Sequence, residues 1–130
     1  IDLPNATEQV LDVLSARPDL QVTVVLGRAA PALAAVQARA AALPNPARVL
    51  VDVPDMASLM ADADLAIGAA GGTAWERCAL GLPSLLAVLA DNQVAATAAL
   101  DRAGAAIDLG WAEAEAFAER LRVAVKSVED

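Results

Sequence analysis

The sequence predicts an α/β fold, a Rossmann-like three-layer domain built around a parallel sheet. Short apolar runs alternate with longer alanine-rich segments along the chain. The runs VTVVL, LAI and LLAVL contain almost no polar residues, which is typical of parallel strands covered on both faces. No internal repeat or low-complexity linker interrupts this alternation. Strands and helices should therefore follow one another in a layered α/β arrangement with right-handed crossovers.

Five segments are predicted strands, and six predicted helices lie around them. The strands are Gln21–Leu26, Arg48–Asp52, Leu65–Gly68, Ser84–Leu89 and Ala105–Asp108. The helices are Thr7–Ala16, Pro31–Ala42, Met56–Ala61, Ala74–Leu80, Gln93–Ala103 and Ala112–Val125. The sequence also marks helix ends: Asn5 or Thr7 can cap the first helix, and Gly81 and Gly104 stand where helices should stop.

Composition excludes several classes of function. The 130 residues suffice for one domain with a buried core, and no run approaches the roughly 18 apolar residues of a membrane span. The net charge of −8 argues against a nucleic-acid partner, which would require clustered Lys and Arg. With no His and only Cys78, neither a disulfide nor a zinc site is expected. We therefore predict no metal, no cofactor and a cytoplasmic protein.

The stretch AAGGTAWERCALGLP supports two interpretations. It follows a predicted strand and opens a predicted helix, the edge at which open α/β sheets bind ligands. Gly71 and Gly72 permit close backbone approach, and unpaired N–H groups at a helix start attract phosphate. Alternatively, Thr73 and Glu76 have the spacing of a capping box, in which both side chains bond to backbone and no ligand is required. The local sequence leaves both interpretations open.

Two further loops are candidates for the same sheet edge. Asn92 and Gln93 follow the next strand, and their amides can both donate to and accept from sugar hydroxyls. The alternative is that Asp91 or Asn92 caps the next helix. In VDVPDMASLM, Val53 offers backbone groups and an apolar side chain, which suit a flat base. The alternative there is an ordinary strand-to-helix turn, with Asp52 or Asp55 serving the helix start.

The segment DVPDMASLMADADLAIGAAGGTAWERCALGLPSLLAVLADNQ resembles the C-terminal half of nucleotide-sugar enzymes with the GT-B architecture. It is most similar to the UDP-sugar hydrolases of pseudaminic acid biosynthesis (PseG-like), with an MA-LM helix, ADLAI-AAG, Thr-x-x-Glu, LG-P and then NQ. It resembles the lipid II-forming N-acetylglucosaminyltransferases (MurG-like) more distantly. The likeness covers about residues 2–110. Gly72 departs from it, because relatives often carry Ser or another residue there.

The resemblance implies that UDP lies mostly on this domain, with its sugar pointing toward an N-terminal domain. It also implies one role for each site position. Val53 would pair with uracil through its backbone, Gly71, Gly72 and Thr73 would form the diphosphate turn, Glu76 would accept from the ribose hydroxyls, and Asn92 and Gln93 would face the sugar.

The function expected from this resemblance is the UDP-binding half of a nucleotide-sugar hydrolase. Its substrate would be a UDP-linked diacetamido-trideoxy hexose, and water would displace UDP. Such hydrolases are thought to use a histidine of the N-terminal domain as the base, and this chain has no His. Residues 1–130 are therefore expected to bind UDP-sugar without catalytic residues of their own, as a fragment of a longer two-domain protein.

Two alternatives remain open at this point. One is a GT-B glycosyltransferase C-terminal domain that uses the same UDP-sugar donor with a different acceptor. The other is a non-enzymatic α/β interaction domain whose motifs are all helix caps.

The resemblance further implies that the family's first strand is missing. That strand would lie between Gln21–Leu26 and Leu65–Gly68, so a gap is expected there.

Overall fold

The computed structural model describes residues 6–28, 30–70 and 81–129. These residues alternate strands and helices, and every strand pair is parallel, which confirms the predicted α/β class. The chain divides into two compact units, Ile1–Pro54 and Asp55–Asp130. The strands are β1 (Val22–Leu26), β2 (Ala47–Val51), β3 (Ala66–Ala69), β4 (Ser84–Val88) and β5 (Ile107–Trp111). The helices are α1 (Ala6–Leu14), α2 (Leu33–Ala42), α3 (Met56–Ala61), α4 (Val94–Arg102) and α5 (Phe117–Glu129).

The first unit contains a two-stranded sheet, β1–β2, with α1 before it and α2 as the crossover. Its register pairs Val22 with Ala47 and Leu26 with Val51. The side chains of β1 alternate at its start, because Val22 is buried and Thr23 is exposed. VTVVL is therefore covered less completely than the sequence predicts for a parallel strand.

A buried asparagine joins the turn after α1 to the segment before β2. The side chain of Asn45 is only 6% exposed. Its Nδ2 group lies 3.2, 2.8 and 3.0 Å from the carbonyl oxygens of Leu14, Arg17 and Leu20, respectively. These carbonyls belong to the end of α1 and to the segment between α1 and β1. The hydrogen bonds from Asn45 therefore hold that connection in place.

The second unit contains the three-stranded sheet β3–β4–β5. Every residue of the central strand β4 is buried. Leu85 and Leu86 are adjacent, so they point to opposite faces, and both are fully buried. This confirms for LLAVL the coverage of both faces that the sequence predicts. Phe117 and Leu121 of α5 are also fully buried.

The fifth strand lies further along the chain than the predicted Ala105–Asp108. The reason is the way α4 ends: the N–H of Gly104 donates to Asp101 O at 2.9 Å and that of Ala105 to Leu100 O at 3.0 Å. Gly104 has φ +75°, and these two bonds form the Schellman motif that a C-terminal glycine favours. The motif occupies the residues predicted to begin the strand.

The strand then continues past Asp108 to Trp111 through an irregularity in its pairing with β4. Gly110 has φ +78°, and its N–H donates to Asp108 Oδ1 at 2.8 Å. The prediction that α5 begins at Ala112 is wrong for a similar local reason. Turns that close from Ala114 to Trp111 and from Phe117 to Ala114 occupy residues 112–116, so the helix runs over Phe117–Glu129 instead of Ala112–Val125.

The other described elements begin and end within two residues of their predicted bounds. The predicted helix Ala74–Leu80 lies outside the described residues. Among the described strands, β1 pairs with β2, and β4 pairs with both β3 and β5. The predicted gap between Gln21–Leu26 and Leu65–Gly68 stays a prediction. None of the described helices is both long and apolar enough to cross a membrane.

Candidate functional site

The structure describes three of the seven predicted site residues, Val53, Asn92 and Gln93. Val53 follows β2 in the first unit, and the other two follow β4 in the second unit. All three therefore come just after the carboxyl ends of parallel strands, where α/β sheets bind ligands. The other four predicted site residues lie outside the described residues: Gly71, Gly72, Thr73 and Glu76.

Gln93 is held in place by bonds from both its side chain and its backbone. It closes a short 3₁₀ turn, Asp91–Gln93, just before α4. Its Oε1 accepts the N–H of Leu89 at 2.9 Å, and its carbonyl accepts the hydroxyl of the fully buried Thr97 at 2.6 Å. Because only the amide oxygen can accept an N–H, this bond fixes the side-chain orientation and leaves the Nε2 group to donate elsewhere.

The neighbouring Asn92 is exposed, and its side chain makes no hydrogen bond with the described part of the chain. The alternative in which Asp91 or Asn92 caps the helix is wrong. The N-cap positions of the 3₁₀ turn and of α4 are Ala90 and Gln93, and neither makes a side-chain capping bond. The amide of Asn92 therefore has both its donor and its acceptor available.

Val53 is half-buried, and neither its N–H nor its C=O bonds to a described residue. The helix start that follows it has its own polar chemistry. Asp55 is the N-cap of α3, and its carboxylate accepts the N–H of Ser58 at 3.1 Å and the Ser58 hydroxyl at 2.7 Å. The Ser58 hydroxyl, and after it the Ser58 N–H, lower the pKa of Asp55 below 3.8. The predicted role of Asp55 at a helix start is confirmed.

Sequence reasoning missed a polar pair at the carboxyl ends of β1 and β2. The N–H of Arg28 donates to Asp52 Oδ1 at 2.8 Å, and Arg28 Nε lies 3.2 Å from Asp52 Oδ2. The two residues are 24 positions apart, and Asp52 was predicted only to end a strand or to serve the next helix start. An Asp directly after a strand is a usable signal, since Asp tolerates the left-handed conformation better than most residues.

Neither unit offers an evident metal centre in the part of the chain that the structure describes. Within residues 6–28, 30–70 and 81–129, no group of three or more His, Cys, Asp or Glu side chains could hold a metal ion.

Comparison with known proteins assigns the family. Residues 2–130 match the model of the glycosyltransferase family 28 C-terminal domain. The spore coat polysaccharide biosynthesis protein SpsG of Bacillus subtilis (strain 168) is 34% identical over 108 residues, which cover 83% of this chain and 30% of that protein. The chain thus matches less than a third of the length of this relative. No solved structure matches the chain significantly. The chain belongs to the glycosyltransferase family 28 C-terminal domain family and, through it, to the GT-B superfamily.

Proposed function

We propose that this chain is the donor-binding domain of a GT-B glycosyltransferase and that its donor is a UDP-sugar. The family match over residues 2–130 carries the proposal, because the matched residues include every position to which the resemblance gives a role in UDP binding. In the reaction, an acceptor hydroxyl would attack the anomeric carbon of the sugar and give its proton to a general base. The bond from that carbon to the diphosphate oxygen would break, and UDP would leave with the bonding electron pair. The domain would bind and orient the donor and stabilise the departing diphosphate.

The backbone of Val53 is suited to bind the base. Its N–H and C=O are available with respect to the described residues. A pyrimidine edge such as that of uracil presents a ring N–H beside carbonyl oxygens, so one backbone donor and one acceptor complement it. The half-buried side chain of Val53 would then provide apolar contact for the ring.

The amides after β4 are suited to bind the sugar. The bond from Leu89 fixes the orientation of Gln93 and leaves its Nε2 group as a donor. Asn92 is exposed, with its donor and acceptor available. Sugar hydroxyls require both kinds of partner.

The diphosphate and ribose contacts are assigned by resemblance. Gly71, Gly72 and Thr73 would present backbone N–H groups to the diphosphate, and Glu76 would accept from the ribose hydroxyls. A chain of net charge −8 attracts an anion poorly through its overall field. Local N–H groups at a helix start are therefore the expected way to hold a diphosphate.

The comparisons favour the transferase over the hydrolase that the sequence resemblance placed first. The matching family is named for glycosyl transfer, and the relative is named for polysaccharide biosynthesis. Hydrolysis of a UDP-linked diacetamido-trideoxy hexose is the second candidate, supported by the motif spacing between Val51 and Gly104. A partner N-terminal domain and a cytoplasmic location belong to both proposals.

The first experiment measures UDP, GDP and ADP binding to the full-length protein by titration calorimetry. UDP should bind most tightly. Glu76→Gln should weaken UDP binding about tenfold or more, because a hydrogen bond to a charged group contributes roughly 1.5–3 kcal/mol. Gln still fits a capping box, so the free energy of unfolding should change by less than about 0.5 kcal/mol. Unchanged UDP affinity combined with a lower melting temperature would assign Glu76 to helix capping and contradict its role at the ribose.

A second experiment separates the two reactions. The full-length protein is incubated with a UDP-sugar, with and without a candidate acceptor, and UDP release is followed. A transferase should release UDP only slowly until the acceptor is added. Rapid formation of free sugar without acceptor would support the hydrolase, and absence of any nucleotide binding would support the non-enzymatic alternative.

A further inference from the structure

We propose that Asp52 is a positioning residue for base recognition by Val53. This inference rests on the proposed nucleotide-binding function and adds to it a specificity determinant outside the predicted site residues. Asp52 would not touch the base. It would set the direction of the chain and, with it, the direction in which the backbone groups of the next residue point.

The backbone of Asp52 is unusual. With φ at +52°, it is the one non-glycine residue with positive φ among residues 6–28, 30–70 and 81–129. This left-handed conformation is disfavoured for L-residues, although Asp and Asn adopt it more readily than others. A residue that holds such a conformation directly after a strand is maintained there by its surroundings.

The contacts of Asp52 identify those surroundings. Its N–H donates to Leu26 O at 3.0 Å, which continues the ladder between β1 and β2 by one bond. In a regular parallel ladder, the next bond would run from the N–H of Arg28 to the backbone carbonyl of Asp52. Instead, that N–H donates to the side-chain Oδ1 of Asp52 at 2.8 Å. The carboxylate thus replaces the backbone carbonyl as the acceptor.

This substitution has a consequence for Val53. Because the amide of Arg28 is satisfied by a side chain, the backbone at residue 52 can turn away from β1 without leaving an unpaired donor. The ladder stops there, and the N–H and C=O of Val53 bond to no described residue. In a regular parallel strand, alternate residues bond to one neighbour, so the N–H and C=O of Val53 would face away from β1 with or without the turn. What the left-handed residue before Val53 changes is the direction in which those groups point.

The ion pair between the two side chains contributes less than the bond to the amide. The Arg28 side chain is 86% exposed and that of Asp52 is 42% exposed, so water screens the 3.2 Å contact. The proposal therefore depends on the oxygen that accepts the amide and on tolerance of positive φ. It does not depend on the charge of Asp52.

Three substitutions separate these properties. Asp52→Asn keeps an acceptor oxygen and the tolerance of positive φ, Asp52→Gly keeps only the tolerance, and Asp52→Ala keeps neither. Each variant of the full-length protein is titrated with UDP, CDP and inorganic pyrophosphate. UDP and CDP differ only in the base, so their affinity ratio reports base recognition, while pyrophosphate reports an intact diphosphate site.

The wild type should prefer UDP over CDP, and Asp52→Asn should preserve that preference. Asp52→Gly and Asp52→Ala should lose about tenfold in UDP affinity, the change that one lost hydrogen bond produces, with pyrophosphate affinity unchanged. Asp19→Ala is the matched control, because it removes an exposed carboxylate that pairs with Arg17 at 2.9 Å in the same unit. This control should retain the UDP preference.

The failures are distinguishable. If the wild type binds no UDP, the proposed function fails and this inference fails with it. If the wild type prefers UDP and Asp52→Ala retains the same UDP-to-CDP ratio, only the positioning role is overturned. A parallel loss of pyrophosphate affinity in Asp52→Gly would also overturn it, because the residue would then serve the general structure of the domain.

Discussion

At the ends of β2 and β4, a side-chain oxygen accepts a backbone N–H, but the sequence separation between donor and acceptor differs. After β2, the carboxylate of Asp52 accepts the N–H of Arg28, which lies 24 residues earlier. After β4, the amide oxygen of Gln93 accepts the N–H of Leu89, only four residues earlier. In both places, a side-chain oxygen satisfies an amide just past a strand end. The comparison teaches that a strand can end without leaving an unpaired N–H donor, because a side-chain oxygen from either a distant or a nearby residue can accept that N–H.

The two strand ends differ in the hydrogen-bonding groups that remain available to a ligand. At the end of β2, the Asp52 side chain makes the hydrogen bond, and the backbone groups of Val53 remain available to a ligand. At the end of β4, Gln93 uses its side-chain oxygen, and its Nε2 group remains available as a donor. Backbone groups suit a base that must be read by its edge, and side-chain amides suit the varied hydroxyls of a sugar. On the proposed function, each strand end would supply the kind of group that its part of the donor requires.

The sheets to which the two strand ends belong also differ in how much of their surface is buried. Every residue of β4 is buried. In the sheet of the first unit, Thr23 and Arg48 are exposed and bond to each other at 3.2 Å. Apolar burial should therefore dominate the stability of the second unit, and hydrogen bonds should contribute a larger share in the first. The following substitutions test that difference.

The largest effect is expected for Leu86→Ala in the second unit. Leu86 is fully buried in the central strand, and truncating such a residue typically costs about 2–5 kcal/mol. The measurement is urea unfolding followed by tryptophan fluorescence, to which Trp111, paired with Val88 in the same sheet, contributes. Val123→Ala is the control, because Val123 is 58% exposed and its loss should cost less than about 0.5 kcal/mol. Equal losses in the two variants would contradict an apolar basis for the stability of this unit.

The next effect is expected for Asn45→Ala in the first unit. Three carbonyl oxygens would lose their shared buried donor, which should cost about 1–3 kcal/mol. Asn45→Asp should lower the free energy of unfolding further, because a charged carboxylate oxygen would replace the Nδ2 donor and be repelled by those carbonyl oxygens. Hydrogen exchange at the buried strand residue Val24 provides the measurement. Asn92→Ala, at an exposed amide, is the matched control, and unchanged protection of Val24 in Asn45→Ala would contradict the role given to this side chain.

A smaller effect is expected at Gln93. Gln93→Ala removes the acceptor of the Leu89 N–H and should cost about 0.5–1.5 kcal/mol, with faster hydrogen exchange at Leu89. Gln93→Glu keeps an acceptor and should protect that amide, but it loses the Nε2 donor. On the proposed function, Gln93→Glu should therefore weaken binding of a UDP-sugar more than binding of UDP. Equal affinities of both ligands for wild type and Gln93→Glu would remove Gln93 from the sugar site.

The fold was predictable wherever local signals agree with burial. Met56–Ala61 has its predicted bounds, and Gly104 ends α4 as expected, because caps and apolar runs are short-range features. The fifth strand and the last helix were displaced for a different reason. The stop at Gly104 was visible, but the extent of the Schellman motif through Ala105 was not, and in an alanine-rich stretch the turns over residues 112–116 leave little compositional trace.

The contacts of the candidate site residues were predictable to different extents at the two described strand ends. That Asn92 and Gln93 follow a strand end could be inferred from the order of elements. The bond between Gln93 and Leu89 required the short 3₁₀ turn that the structure provides. The contact between Asp52 and Arg28 depends on the register of β1 with β2, which no local pattern specifies. The roles of Gly71, Gly72, Thr73 and Glu76 stay predictions.

The smallest expected effect concerns Asp55, a local counterpart of the Asp52 contact. The Ser58 hydroxyl and then the Ser58 N–H stabilise the charged form of Asp55 and lower its pKa below 3.8. A depressed folded pKa means that the contribution to stability is present above the unfolded value and disappears as pH falls through the folded value. Carboxyl NMR titration of Ser58→Ala should move this pKa upward toward 3.8, because the hydroxyl bond is the largest cause of the shift. The pKa should remain below 3.8, since the backbone N–H still donates. An unchanged pKa in Ser58→Ala would assign the shift to the helix backbone alone and remove the side-chain pair from the N-terminal cap of α3.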